Sequence, residues 1–477
     1  MKILARLPAL LALLLPIVSG GGAAPARPNI LFITTDQQSA DMMSCAGNRW
    51  LKTPAMDYLA RHGVRFERAY TANPVCSPAR VAMMTGRFAS YFPSPRGEVR
   101  ENGAAMKIAE IPEAAQGTTI ADFLRRAGYA LAYGGKSHLP KPLSPAAQGF
   151  EEIGGDQSDE LAANCAAYFA RDHERPWFLW ANFINPHDIC YYAINYYRFG
   201  MDKNDSLFRK GKGGRANSEL INALQMPAGV GPEEFFARLC PPLPANHLPQ
   251  IDEPAAVTRL VATRPFRLRA RENYTERDWR LHRWAYHRLT ERVDGQLQIV
   301  LDGLRRSGRE RNTIVILTAD HGDHDGAHKL EHKSTCYEEA ARIPFLVMYR
   351  GGGAEGLVDR EHLVSSGLDL LPTVCDYAGL EEAASDPRGR SLRPLIEGKK
   401  IDDWRTTLGV ESQVGRMVVG DRMKYIRYDM VAENIQEQLL DLKLDPGETR
   451  HFTDDPGHAV QLKQLRGEYD RLWFPAD

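Results

Sequence analysis

Five short segments that are almost uniformly apolar do most to limit what this chain can fold into: Ile30–Ile33 within PNILFITTDQQ, Gly128–Gly135, Pro176–Phe183, the start of NTIVILTADHG at Asn312–Gly322, and Ile343–Arg350. A strand with one solvated face alternates apolar and polar residues. A strand apolar throughout must be covered on both faces, the usual condition of parallel strands packed between helices. Covering helices are legible between them: Thr53–His62 has helical patterning, and Thr118–Ala127 and Ala285–Leu304 space apolar residues by three and four, the last through Leu289, Val293, Leu297, Val300 and Leu304. The expected fold is therefore α/β, a large, mostly parallel mixed sheet flanked by helices on both faces. After Gly379 the composition shifts through EEAASDPRGR, and the strand-like pieces MVVG and MKYIRYDM suit a smaller C-terminal antiparallel-sheet subdomain. The expected division is a leader at 1–26, a catalytic domain at 27–379 and the subdomain at 380–477. The stretch Phe199–Ala270, rich in Pro, Gly, Arg and Lys, reads as a long surface excursion.

The leader places Lys2 and Arg6 before the apolar run Leu7–Val18 and then small residues up to Ala26, the three-part pattern of a secretory signal peptide. That run falls short of the roughly 18 to 20 apolar residues of a spanning helix, and no later run is longer, so stable membrane insertion is not expected. The mature protein is expected to be exported, to the periplasm or exterior of a bacterium or into the secretory or lysosomal pathway of a eukaryote. Over the full chain 60 Lys and Arg nearly cancel 61 Asp and Glu, so no global field recruits nucleic acid, and any anion recognition must be local. The 7 cysteines are too few for a disulfide scaffold and lack paired zinc-site spacing. In an oxidising compartment their odd number leaves at least one unpaired or chemically special.

Asp36 closes the first apolar strand, and Asp320 with His321 closes a late one. The carboxyl ends of parallel strands share one sheet edge, where distant segments can assemble a site. Two carboxylates with neutral oxygen and imidazole donors suit a divalent cation such as calcium or magnesium, whereas zinc draws more on several His or Cys ligands. An aspartate at a strand end also caps a following helix, and the pattern alone leaves both readings open.

The segment NPVCSPARVAMMTGRF, Asn73–Phe88, contains Cys76-Ser77-Pro78-Ala79-Arg80 followed by Thr85-Gly86-Arg87. It strongly resembles the signature of the type I sulfatases of the alkaline phosphatase superfamily, in which this cysteine is oxidised after translation to formylglycine. Further family-like segments follow in order: GKSHL at Gly135–Leu139, PHD at Pro186–Asp188, TADHGDHDGAHK at Thr318–Lys329, KSTCYEEAARIPF at Lys333–Phe345, DLLPTVCDYAG at Asp369–Gly379 and LLDLKLDPGE at Leu439–Glu448.

The resemblance implies hydrolysis of a sulfate ester, with a sulfated saccharide or other small sulfate ester as substrate and a formylglycine-generating or sulfatase-maturing enzyme as partner. One hydroxyl of a hydrated formylglycine would attack sulfur, and the other would expel sulfate as the aldehyde reforms. It implies Ca2+, with Mg2+ or another divalent cation as alternatives, held by Asp36, Gln37, Asp320 and His321 and touching residue 76. Many relatives carry aspartate at the position of Gln37 and asparagine at that of His321, so this shell bears less negative charge. Arg80 would orient the formylglycine, Lys136 and Lys333 would hold sulfate oxygens, His138 would assist regeneration, and His187 would protonate the leaving alcohol. Asp188, His324, Asp325 and His328 lie in or beside the motifs as substrate contacts or supports. The run DHGDHDGAH is dense enough for a second metal, but one ion accounts for Asp320 and His321 directly. The basic run Arg209–Arg215 and the arginines of Arg264–Arg271 would meet neighbouring sulfates or carboxylates if their loops reach the site. Two other readings stay open: a phosphate or phosphonate monoester or diester hydrolase of the same superfamily, which the Asp36-Gln37 pair also resembles, and a secreted glycan-binding protein without turnover.

Overall fold

The computed structural model describes residues 27–155, 158–199, 214–380, 386–429 and 435–474. The leader 1–26 and most of the basic run Arg209–Arg215 lie outside them. All five apolar segments supply strands of one eight-stranded sheet, in the order Leu357–Asp359, Val64–Phe66, Phe345–Tyr349, Thr313–Ala319, Asn29–Asp36, Trp177–Pro186, Ala130–Gly135, Glu151–Gly154. Thr313–Ala319, Asn29–Asp36, Trp177–Pro186 and Ala130–Gly135 are parallel neighbours. Phe345–Tyr349 runs antiparallel to both of its neighbours, which makes the sheet mixed.

Every residue of Asn29–Asp36 is buried, and the period of two explains why none of its first residues can be charged. Ile30 and Phe32 face one core with Phe178, Trp180, Ile314 and Ile316. Leu31 and Ile33 face the other with Leu179, Val315 and Leu317, under Val293, Leu297, Val300 and Leu304 of the helix Glu276–Arg306. Each such side chain contributes about 1.5–3 kcal/mol on burial. That helix starts at Glu276 rather than Ala285 because Thr275 caps it: its hydroxyl accepts from the Asp278 amide and the Asp278 carboxylate accepts from the Thr275 amide. The added turns bury Trp279 and His282.

The region read as a surface excursion departs from that expectation. Among its described residues, Ala255–Ala262 and Pro265–Asn273 are helices. Ala256, Val257, Leu260 and Val261 pack against Leu408, Val410, Met417 and Tyr428. A two-turn apolar stripe is too short to show through Pro- and Arg-rich composition. The C-terminal strands Leu408–Glu411, Arg416–Val419, Met423–Tyr428 and Gln436–Asp441 form the expected antiparallel sheet in sequence order. Its second face meets the helix Ala459–Trp473 through Leu462, Leu465 and Tyr469. Among the described residues no helix is long and apolar enough to cross a membrane. All seven cysteines are free thiols.

Candidate active site

The four parallel neighbours deliver their following residues to one edge: Asp320 and His321, Asp36 and Gln37, His187 and Asp188, and Lys136. Against that edge stands the helix Cys76–Thr85, buried at every residue, with Cys76 at its first position and Gly86 closing it at φ 65°. A helix N-terminus favours negative charge at its first residue. Arg80 lies four residues on and so shares the face of Cys76.

The Cys76 Sγ is 3.0 Å from His321 Nε2, 3.7 Å from Asp36 Oδ1 and 3.9 Å from Lys136 Nζ. Fully buried Arg80 donates to Asp320 Oδ2 at 3.0 Å, Asp36 Oδ2 at 3.1 Å, the Lys136 carbonyl at 2.9 Å and Asn182 Oδ1 at 2.8 Å. Lys136 Nζ is 2.6 Å from Asp36 Oδ2. Gln37 has a left-handed backbone, φ 68°, and its amide donates to Asp320 Oδ1 at 3.1 Å. Its side-chain oxygen accepts from Lys333 and from the Cys190 thiol, and its Nε2 donates to Asp323 Oδ2 at 2.5 Å.

This charge arrangement sets protonation. Burial and Asp36 oppose ionisation of Cys76, but Lys136, Lys333 and His321 outweigh them and hold the thiol well below its ordinary value. Burial alone would raise Asp36, yet Lys136, with Arg80 and Lys333, holds its carboxyl well below the usual range. Burial and the proximity of Asp36 push Asp320 upward instead. Burial and then Lys136 hold His187 well below its ordinary value, so it is neutral near pH 7. Residue 76 therefore stands where an anionic atom is stabilised, a requirement for a nucleophile.

The donor set fits a divalent cation. Asp36, Cys76, Asp320 and His321 each offer one atom, all within 4.8 Å of one another and all four residues buried. The His321 Nδ1 is 2.9 Å from the Gly322 carbonyl, so it is an N–H donor, and Nε2 faces the cluster, where a bound cation would take its lone pair. Gln37 borders this group, and its amide oxygen is taken up by Lys333 and Cys190.

Other expected residues are less tightly joined. His138 is half-buried at φ 45°, and among the described residues its Nδ1 has no hydrogen-bond partner; nor has His187 Nδ1. The amide of buried Asp188 donates to Asn185 Oδ1 at 3.3 Å. His324 Nε2 is 3.2 Å from Thr335 Oγ1, and the Arg283 guanidinium is 3.2 Å from Asp325. His328 stacks on Tyr337 at 4.4 Å and groups with Glu339 and Glu448 rather than with Cys76. Three residues outside the motif assignments complete the centre: Asn182, Cys190 and Asp323. Asn182 is legible only as a polar residue near the carboxyl end of an apolar strand, and Asp323 only as part of the DHGDHD run.

A family profile described as Sulfatase matches residues 28–380, most of the chain. The chain belongs to the sulfatase family. A profile described as N-sulphoglucosamine sulphohydrolase, C-terminal, matches residues 326–473. The sulfatase is 27% identical to the Delta 4,5-hexuronate-2-O-sulfatase of Bacteroides thetaiotaomicron, across 94% of this chain and 90% of that one. It superposes on the structure of a 2-O GAG sulfatase with a TM-score of 0.76 and 26% identity, across 94% and 92% of the two chains. The phosphonate monoester hydrolase of Agrobacterium radiobacter, 19% identical with a TM-score of 0.69 over 93% and 95% of the chains, shares the fold. The sulfatase is a sulfuric ester hydrolase whose active site is built on the residue derived from Cys76, beside a cluster of metal-binding residues.

Proposed function

We propose that this sulfatase removes sulfate from a sulfated carbohydrate, acting as an exported enzyme matured by a formylglycine-generating partner and loaded with Ca2+. The observation that carries the reading is the meeting of Cys76, Arg80 and Lys136 with the Asp36, Asp320 and His321 donors at one buried point. The named substrates of the two sulfatase relatives support a saccharide. The leader 1–26, outside the described residues, supports export. Two carboxylates with one imidazole and a side-chain amide nearby support a hard cation over zinc.

A hydrated formylglycine at position 76 would supply a hydroxyl nucleophile on the carbon that bears Sγ in cysteine, and a bound cation would supply Lewis acidity toward developing oxyanion charge. Arg80, locked by four hydrogen bonds, fixes the helix end that carries residue 76 against both aspartates. Lys136 and Lys333 orient sulfate oxygens and offset the charge that builds on them. Burial keeps His187 neutral, and a sulfate monoanion beside it favours the imidazolium, which then donates a proton to the leaving oxygen. His138 assists proton removal when sulfate is expelled. A panel of defined sulfated saccharides with product analysis, run beside peptide mass analysis of position 76, tests this. Desulfation of a saccharide by formylglycine-bearing enzyme is expected, and cleavage of small nonsaccharide sulfates alone would refute the carbohydrate assignment.

A further inference from the structure

The helix Pro265–Asn273, in the region that the sequence marks as a loop, brings an arginine to the active-site wall. Arg267 is 91% buried, yet none of its side-chain N–H groups makes a hydrogen bond to another described residue. Its nearest carboxylate, Glu331, is 3.7 Å away, beyond hydrogen-bond reach, and contacts His332 Nδ1 instead. Phe266, one residue earlier, lies against the His332 ring with centroids 5.0 Å apart. His332 directly precedes Lys333, and its imidazole feels the charges of Arg267 and Lys333, with His187 also in range. Arg267 in turn lies within electrostatic range of Cys190 and Asp323, which together with Lys333 bind the Gln37 side chain. The guanidinium therefore stands beside the Lys333 and His187 side of the centre, outside the cluster around Cys76.

We propose that Arg267 forms an anion subsite for a second negatively charged group on the sulfated saccharide, a carboxylate or a second sulfate, next to the ester that is cleaved. This rests on the sulfatase reading above. An ordinary buried ion pair would be hydrogen-bonded, and bidentate where arginine meets carboxylate; Arg267 and Glu331 are not. Burial lowers the Arg267 value to about 10, so its surroundings compensate the charge poorly, and an incoming anion would supply what is missing. Phe266, its ring tilted 38° to that of His332, adds aromatic surface beside the guanidinium against which a sugar ring can lie.

The test compares mature wild type and Arg267→Met on three sulfated disaccharides with the same scissile sulfate. One carries a uronate carboxylate, one is its carboxyl-reduced analogue, and one is that neutral analogue bearing a second sulfate. The readout is the preference in kcat/KM for an anionic disaccharide over the neutral one. We expect wild type to prefer one anionic form and Arg267→Met to lose about ten- to a hundred-fold of that preference, chiefly in KM. The form that shows the loss identifies the group as carboxylate or sulfate. Arg267→Lys keeps the charge without the fork and should recover part of it; if the methionine variant does not fold by circular dichroism, the lysine variant carries the test through a smaller loss. Unchanged preference, or equal losses on all three disaccharides, would overturn the subsite and make Arg267 structural. Failure of wild type to cleave any sulfate ester would instead overturn the reading on which it rests.

Discussion

Replacing Arg80 with methionine removes one charge from a place where two buried carboxylates depend on it. Asp36, Asp320 and Arg80 are each fully buried, at contacts of 3.0–3.1 Å. Removing one partner of a buried pair costs about 3–5 kcal/mol, because the remaining charge is neither solvated nor paired. Asn182 Oδ1 and the Lys136 carbonyl also lose a donor, while Lys136 Nζ still holds Asp36. A cost near the top of that range is a large share of the about 5–15 kcal/mol that keeps a domain folded. The cost must depend on pH. In wild type the Asp36 value is depressed, so its stabilisation is present above the unfolded value of 3.8 and is lost as pH falls through the depressed one. In the variant both carboxylates rise, the folded state binds more protons than wild type does, and the deficit shrinks as pH falls from 7.5 toward 5. Urea unfolding followed by circular dichroism in EDTA measures both quantities, and excess CaCl2 should return part of the loss by supplying positive charge. A deficit below about 1 kcal/mol at pH 7.5, or one equally large at pH 5, would refute the reasoning.

His187→Ala should lower turnover of an alkyl sulfate by about 10²–10⁴ and of an activated aryl sulfate far less, since only the former needs a proton at the leaving oxygen; equal losses would remove its role as acid. His321→Ala should weaken divalent-cation binding in titration calorimetry by more than the about 10–100-fold typical of outer-sphere partners, and an unchanged affinity would exclude Nε2 as a ligand. Paired assays on one leaving group should give a higher kcat/KM for sulfate than for phosphate, and the reverse would favour a phosphate or phosphonate hydrolase. Asp294 caps the helix Pro54–Arg61 by accepting from the Ala55 and Met56 amides, and burial pushes its carboxyl up to about 7. The folded state thus holds a proton there that the unfolded state releases above about 4, so stability falls as pH rises from 4 to 7; Asp294→Asn should flatten that slope in urea titrations.

Much of this molecule is legible locally. The apolar segments became sheet strands because a strand buried on both faces tolerates nothing else, as Leu31, Phe32, Leu179 and Val315 show. The Cys76 motif is contiguous and needs no tertiary contact to be read. The helices within 214–270 were hidden because Ala256, Val257, Leu260 and Val261 form only a brief stripe amid prolines and arginines. Asn182 and Cys190 carry no local signal because each meets the site through a side chain distant in sequence, Arg80 and Gln37.

Residue order alone determined the α/β class, the identity of the nucleophilic position and the candidates for the site around it, because burial pattern and a continuous motif are local properties. Only the tertiary structure decided which candidates meet. Strand order set Asp36 and Asp320 on adjacent ends; backbone placement separated His328 from Cys76 and gave it to Glu339 and Glu448; side-chain direction turned the Gln37 oxygen toward Lys333. Those outcomes depend on contacts across hundreds of residues, whose geometry is set by packing and charge pairing after the chain has closed on itself.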